Sequence, residues 1–227
     1  MVWFLFIIAI VAQQSQLQTF QDKVSRVFYL NDQTILHSLD SVYVFPKTLI
    51  LSGVLDVQLD QNSLYLLTAT DIYIYTTSLQ KLPLPANTKP NDFDVPVLDF
   101  HPTQKDWLIY VSGSKACPNA CHTTTYMTVD KGLNWKQVDT WSEKCVWARD
   151  VFFSNPALDN DAIYCMSYMY KNQDISQDKL RFQENSQNPL QFILIKNQGS
   201  SQTVMLDKGV QGFFVVSNVL VVASVFS

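Results

Sequence analysis

The chain has 227 residues, of which 47% are hydrophobic and 16% charged, so it is long enough to bury a sizeable core and too apolar to be a disordered tail. Its formal net charge is -4 at pH 7, and it contains no run of like charge. We therefore expect no nucleic-acid partner, because a nucleic-acid-binding domain normally presents a basic surface. The aromatic share of 13% favours strands over helices.

Residues 1–12 contain an apolar run, from Val2 to Ala12, that is typical of a secretory signal peptide. The run is too short to span a bilayer, which takes about 20 residues. A buried strand or an anchor is the alternative, since no basic residue precedes the run. We predict that residues 1–12 are a signal peptide and that residues 13–227 form one domain in the oxidising lumen of the secretory pathway.

Short strand-like runs follow one another along the rest of the chain, and helical periodicity is almost absent. The runs form sets of four at a spacing of about 45 residues, which is typical of propeller blades. The predicted fold is therefore all-β, a partial β-propeller of about four to five four-stranded blades. A damaged set comes first and a half set last; the complete sets are Val54–Pro83, Val97–Thr140 and Asp150–Asp207.

Two segments are predicted to be connections. Lys81–Phe93 carries three prolines and separates two sets, and Asn172–Asn188 is a polar stretch that predicts an exposed insertion in the third set. The apolar end of the chain predicts two buried strands joined by a turn at Ser217-Asn218. A propeller that stops at such a half set is open, so we expect the domain to be incomplete at its C-terminus.

The stretch TVDKGLNW, Thr128 to Trp135, lies between two strand-like runs and has the spacing of an Asp-box. Gly132 can supply the positive φ of a tight hairpin without a Cβ clash. Asp130 can accept hydrogen bonds from N–H groups of the turn, and Trp135 can bury its ring while its N–H finds a partner. We predict a structural role for these residues, because the motif indicates a fold more than an activity.

Other short motifs around this stretch occur in the same order as in the sortilin family, the receptors of vacuolar and lysosomal protein sorting, and the sequence resembles that family. The resemblance extends from Leu98 to Arg149 and includes the sequences FHPT, DWL, CHT and CVWA. The positions that match the family pattern are His101, Pro102, Asp106, Trp107, His122 and Trp147.

The resemblance implies a ten-bladed luminal propeller followed by cysteine-rich modules, one membrane span and a cytosolic tail. This sequence covers only part of such a propeller, so it is expected to be a receptor fragment or a short relative, associated with a membrane only through a span that it lacks. The resemblance also implies luminal protein or peptide cargo, such as soluble hydrolases. The expected route runs from the Golgi to an endosome, vacuole or lysosome, and no cofactor or metal is expected.

The four cysteines, Cys117, Cys121, Cys145 and Cys165, predict two disulfides in a secreted chain, with three possible pairings. We favour Cys117–Cys121, a small ring in a hairpin loop, and Cys145–Cys165, which would join the end of one blade to the second strand of the next. The family resemblance supports a bridge at about the position and sequence separation of Cys145–Cys165. Haem attachment requires C-x-x-C-H, and a zinc site requires a fourth ligand that is not evident nearby.

Two other functions are compatible with the sequence: a secreted Asp-box glycosidase of the sialidase type, and a non-catalytic propeller assembly factor with free thiols. The three arginines, Arg26, Arg149 and Arg181, lie outside the arginine motif of sialidase propellers, and no paired catalytic carboxylates are visible. His37 and His122 lack a neighbouring nucleophile pattern. We therefore expect no enzyme activity and predict no catalytic residue.

Overall fold

Antiparallel β-strands make up every regular element in the part of the chain that the structure describes, which confirms the predicted all-β class. The structure is a computed structural model and describes residues 23–46, 48–91, 95–115, 122–147, 162–168, 190–195, 201–204, 210–216 and 219–224. The predicted signal peptide lies outside these ranges. Within them, we find no helix with the length and apolar character needed to cross a membrane.

The chain forms two compact units, Met1–Ser52 and Gly53–Ser227. The first contains sheet 1, a complete four-stranded meander, which corrects the prediction of a damaged set. The strand pattern of its second strand is weak because His37 and Ser38 occupy buried positions there. The strands of sheet 1 are β1 (Val24–Leu30), β2 (Gln33–Ser38), β3 (Ser41–Val44) and β4 (Thr48–Ser52).

The second unit contains four further sheets, in which consecutive strands pair in antiparallel order. Sheet 2 consists of β5 (Val54–Asp60), β6 (Ser63–Thr68), β7 (Ile72–Tyr75) and β8 (Leu79–Lys81). Sheet 3 consists of β9 (Thr88–Pro90), β10 (Leu98–Phe100), β11 (Leu108–Ser114), β12 (Thr124–Thr128) and β13 (Lys136–Thr140). Sheet 4 consists of β14 (Ser142–Trp147), β15 (Ile163–Tyr168), β16 (Leu190–Ile195) and β17 (Ser201–Val204). Sheet 5 consists of β18 (Val210–Val216) and β19 (Val219–Ser224).

The central strand of sheet 3, β11, is buried on both faces. Because side chains alternate along a strand, Leu108 and Tyr110 point to one face and Ile109 and Val111 to the other, and none of the four is more than 1% exposed. The first pair packs in one cluster with residues of sheet 2, and the second pair packs with residues of sheet 4. Sheets 2, 3 and 4 are therefore stacked face to face.

The stack continues to sheet 5, where Phe213 packs with Trp141 and Met166. Lys144 strengthens this contact, because its Nζ donates a hydrogen bond of 2.9 Å to the Phe213 carbonyl and lies 4.9 Å from the centre of the Phe213 ring. Antiparallel meanders stacked in this way are the blades of a β-propeller. The predicted partial propeller is confirmed, and sheet 5 is the predicted half set.

One strand of sheet 3 is interrupted. β9 and β10 pair with the same edge of β11, and the described residues between them, 91 and 95–97, belong to neither strand. The N–H of Val111 still donates to the Val97 carbonyl at 2.8 Å, and Asn91 Nδ2 donates to the Val111 carbonyl at 2.7 Å. An amide side chain thus replaces the missing backbone donor. Lys81–Phe93 is accordingly more than the predicted connection, since it contains β9.

Sheet 4 begins earlier than predicted. β14 starts at Ser142, whereas the predicted set starts at Asp150. The polar Glu143 and Lys144 within β14 weaken the strand pattern of this stretch. The insertion predicted over Asn172–Asn188 lies outside the described residues.

Asn91 tests the interrupted strand. We expect Asn91→Ala and Asn91→Asp each to lower the free energy of unfolding by about 1–3 kcal/mol, because both leave the buried Val111 carbonyl without its donor. Asn87→Asp, in the exposed turn before β9, is the matched control and should cost less. Urea unfolding followed by tryptophan fluorescence measures the difference. Unchanged stability of both Asn91 variants would show that this hydrogen bond does not hold the strand.

Candidate functional site

The turn from Thr128 to Trp135 joins β12 to β13, and hydrogen bonds to the side chains of Thr128 and Asp130 hold it together. Thr128 Oγ1 accepts hydrogen bonds from the N–H groups of Asp130, at 3.2 Å, and Gly132, at 3.0 Å, and donates to Asp130 Oδ1 at 2.7 Å. Asp130 accepts from the N–H of Asn134 at 2.8 Å and from its Nδ2 at 2.7 Å. Both carboxylate oxygens are therefore engaged within the turn.

These hydrogen bonds favour the charged form of Asp130. The side-chain amide of Asn134, then its backbone N–H, then the Thr128 hydroxyl lower the pKa of Asp130 below its ordinary value. A carboxylate held in its charged form by its own turn is a poor general acid. We propose on this basis that Asp130 has a structural role.

Gly132 and Trp135 dock the turn onto the neighbouring sheet. Lys131 and Gly132 have φ values of 56° and 87°, and a Cβ on Gly132 would lie 2.6 Å from Leu82 Cδ1 and 3.2 Å from the Pro83 carbonyl oxygen. Trp135 Nε1 donates to that same carbonyl at 2.7 Å. Because Leu82 and Pro83 follow β8, the turn ties sheet 3 to sheet 2.

His101, Trp107 and Trp147 form an aromatic cluster between sheets 3 and 4. The centre of the His101 ring lies 5.1 Å from the centre of the Trp107 ring and 4.9 Å from the centre of the Trp147 ring. His101 is 1% exposed, and its Nδ1 accepts from the backbone N–H groups of Thr103 at 3.2 Å and Gln104 at 3.0 Å. Since Nδ1 is an acceptor, the ring carries its proton on Nε2 and caps a turn.

The remaining residues that resemble the family pattern lie in other places. Pro102 belongs to the turn that His101 caps, and the carbonyl of Asp106 accepts the N–H of Lys131 at 2.9 Å. His122 stacks on Trp141, with ring centres 4.7 Å apart and planes 6° from parallel. The structure thus brings only three of the six residues into mutual contact.

Asp99 links sheets 3 and 4 beside the aromatic cluster. Its Oδ2 accepts the backbone N–H of Trp147 at 3.0 Å. Burial raises the pKa of Asp99 to about 6, while the hydrogen bond from Trp147 and the charge of Lys144 act in the opposite direction. The carboxyl group therefore changes charge at mildly acidic pH, at a contact between two blades.

Cys145 and Cys165 form a disulfide, as predicted. The two residues lie directly opposite each other on β14 and β15, with their Cα atoms 4.2 Å apart. The predicted position of the bridge was wrong, because it joins the first and second strands of one blade instead of two successive blades. Cys117 and Cys121 lie outside the described residues.

A cavity of about 510 Å³ lies between sheet 2 and the interrupted strand of sheet 3. Its walls include the apolar side chains of Leu67 and Val97 and the polar side chains of Asp56, Lys89 and Asn91. The sequence contains no motif for this cavity, since its residues come from separate segments. The prolines of the predicted connection are the one local feature that could have drawn attention to it.

Residues 40–226 match the family Sortilin-Vps10, described as "Sortilin, neurotensin receptor 3". The chain belongs to the Sortilin-Vps10 family. Two relatives are each named "Vacuolar protein sorting/targeting protein 10": the protein of Mycosarcoma maydis is 34% identical over 169 residues, and that of Laccaria bicolor is 32% identical over 166 residues. Each comparison covers 70% of this chain and 10% of the relative, so the chain spans about one tenth of their length.

Among solved structures, the N-terminal domain of Nup159 has a similar structure, with 12% sequence identity and a TM-score of 0.38. The superposition covers 82% of this Sortilin-Vps10 chain and 48% of the Nup159 chain. A likeness at this TM-score supports no further conclusion.

Within the described residues, no group of three or more His, Cys, Asp or Glu side chains could hold a metal ion.

Gly132 tests the docking of the turn. We expect Gly132→Ala to lower the free energy of unfolding by about 1–3 kcal/mol, because it combines a positive φ with a Cβ in contact with Leu82 and Pro83. Gly53→Ala is the matched control, since Gly53 also has a positive φ, of 73°, but open space around it. Equal losses in urea unfolding would show that the contact with sheet 2 contributes nothing.

The raised pKa of Asp99 predicts that the stability of the folded protein increases as pH falls. Its pKa in the folded state lies above the unfolded value, so the folded protein binds this proton more tightly and gains stability as pH falls toward the unfolded pKa. We expect the wild type to gain on the order of 1 kcal/mol relative to Asp99→Asn between pH 7 and pH 5. Urea unfolding at several pH values measures this difference.

The control for this experiment is Asp71→Asn. Lys81 holds the pKa of Asp71 below its ordinary value, so removing Asp71 should leave the gain toward acidic pH in place. If Asp99→Asn shows the same gain as the wild type, another group is responsible.

Proposed function

We propose that this chain is part of the luminal domain of a sorting receptor that binds protein or peptide cargo for transport from the Golgi to an endosome, a vacuole or a lysosome. The observation that carries the proposal is the Sortilin-Vps10 match over residues 40–226, together with relatives named as vacuolar sorting/targeting proteins. Because the chain spans one tenth of those relatives, it would act as one segment of a longer receptor.

The described structure supports a luminal binding module. A disulfide such as Cys145–Cys165 persists in an oxidising compartment and is rare in the cytosol. Apolar clusters and a hydrogen bond hold the stacked sheets to one another, and groups presented on such a preorganised scaffold lose less conformational entropy on binding. The signal peptide predicted for residues 1–12 agrees with this location.

The candidate acid and base side chains among the described residues give little support to catalysis, and we propose that the chain is not an enzyme. Both oxygens of Asp130 are hydrogen-bonded within its turn, and Nδ1 of His101 is occupied by two backbone donors. Asp99, the carboxyl group whose pKa is raised to about 6, accepts the Trp147 N–H at the contact between two blades. Each of these groups is engaged in a contact that holds the fold together.

A chimeric receptor tests the proposal. Residues 40–226 would replace the matched segment of the Mycosarcoma maydis relative, in Mycosarcoma maydis cells that lack their own copy. We expect the cells to retain a soluble vacuolar hydrolase that cells without the receptor secrete. The measurement is the secreted fraction of that hydrolase, and a receptor with the matched segment deleted is the control.

Two outcomes would contradict the proposal. One is a chimera that reaches the same membranes at the normal level while the hydrolase is secreted as in the deletion control. The other is turnover of a fluorogenic sialoside or β-glucan by the purified chain that disappears when one carboxylate is replaced by its amide. The second result would favour the glycosidase alternative.

A further inference from the structure

The cavity between sheets 2 and 3 has walls that the rest of the second unit holds in place. Val95 packs against the apolar cluster of sheets 3 and 4, and Val97 packs against that of sheets 2 and 3. The Val97 carbonyl accepts the N–H of Val111 at 2.8 Å, and Asn91 Nδ2 donates to the Val111 carbonyl at 2.7 Å. These contacts need no ligand, so this part of the wall is preformed, as is usual for small-molecule sites.

The polar side chains of the walls have partners within the protein. Asp56 Oδ2 accepts a hydrogen bond from Gln58 Nε2 at 3.1 Å. Thr68 Oγ1 donates to the Asp71 carbonyl at 3.0 Å and accepts the Asp71 N–H at 3.0 Å. Asn91 is engaged with β11 through its Nδ2. A ligand therefore does not have to supply hydrogen bonds to these groups in order to enter the cavity.

The walls carry no net charge. Among the described residues that line the cavity, only Asp56 and Lys89 are charged, and their charges are opposite. A charged ligand would lose part of its hydration at the walls without meeting a net charge of opposite sign. Such a loss is unfavourable, so the walls select against both anions and cations.

Apolar side chains supply the surface that remains for a ligand. Leu55, on β5, is 67% exposed, so the fold leaves a large apolar side chain in water beside the cavity. Covering it with an apolar molecule is favourable in proportion to the area removed from water. The volume of about 510 Å³ lies in the range of roughly 300–1,000 Å³ that is usual for ligand sites. The apolar wall residues include Leu55, Leu67, Pro90, Val95, Pro96 and Val97.

We propose that this cavity binds an uncharged, apolar small molecule with a compact ring body. The preformed apolar wall favours such a molecule, and the engaged polar groups and cancelling charges disfavour a charged one. This inference goes beyond the proposed function and does not rest on it. The two can fail separately, because the experiment below measures binding of small molecules and not sorting of a hydrolase.

A titration of the full chain followed by NMR tests the ligand class. The uncharged probes are naphthalene-methanol, indole and cyclohexanol, and the charged probes are the carboxylate and the primary amine that correspond to naphthalene-methanol. We expect the best uncharged probe to bind with a Kd below about 1 mM. The carboxylate and the amine should each bind at least about tenfold more weakly than naphthalene-methanol.

Two pairs of variants test the location of the site. Leu55→Ser should weaken binding of the best probe at least about threefold, whereas Leu59→Ser should leave it within about 1.5-fold. Leu59 is the matched control because it lies on the same strand, is 46% exposed and is not among the cavity residues.

The second pair fills the space instead of removing apolar surface. Ala69 is exposed and lines the cavity, so Ala69→Trp should weaken binding at least about tenfold. Ala86→Trp is its control, since Ala86 is also exposed and is not among the cavity residues. Urea unfolding verifies that each of the four variants folds.

Three results would overturn the inference. The first is that no uncharged probe binds at concentrations up to about 1 mM. The second is that the carboxylate or the amine binds as tightly as naphthalene-methanol, which would mean that Lys89 or Asp56 dominates the site. The third is wild-type affinity in both Leu55→Ser and a folded Ala69→Trp, which would place the bound probe elsewhere on the chain.

Discussion

Burial of both faces of the central strands is the constraint on which the second unit of this molecule depends. A strand such as β11 cannot bury Leu108 and Ile109 at once unless a sheet lies against each face. Each blade therefore needs its neighbours, and the hydrophobic clusters run from sheet 2 to sheet 3 and from sheet 3 to sheet 4. This requirement explains why a central strand such as β11 has apolar residues on both faces.

Polar contacts fix how successive sheets sit on one another. Trp135 donates to the Pro83 carbonyl, Asp99 accepts the Trp147 N–H, and Lys144 donates to the Phe213 carbonyl. In each case a side chain of one sheet satisfies a backbone group of the next or of the segment that follows it. Apolar packing between flat sheets is not directional, whereas these hydrogen bonds are, so they select one register among many similar packings.

Two local features depart from the regular apolar packing of the blades. The break between β9 and β10 leaves a cavity, and Asn91 keeps the buried Val111 carbonyl satisfied, so the sheet tolerates the break. Asp99 is a second such feature, since a carboxyl group whose pKa is raised by burial lies at the contact between two blades. The chain belongs to the Sortilin-Vps10 family, and both features lie within the residues that match it.

The sequence by itself determined the all-β class, the family and the composition of the turn that contains Gly132, and it favoured the Cys145–Cys165 pairing among three possible ones. Strand alternation and turn chemistry act over a few residues, and the family resemblance rests on short motifs, so both can be recognised along the chain. Only the tertiary structure decided where sheet 4 begins, that β2 and β9 are strands, and that Asn91 and the cavity belong together. The physical reason is that a polar side chain can occupy a buried strand position when a group distant in sequence satisfies it, as the Lys23 carbonyl does for the hydroxyl of Ser38. Such partners are neighbours in space and not in sequence.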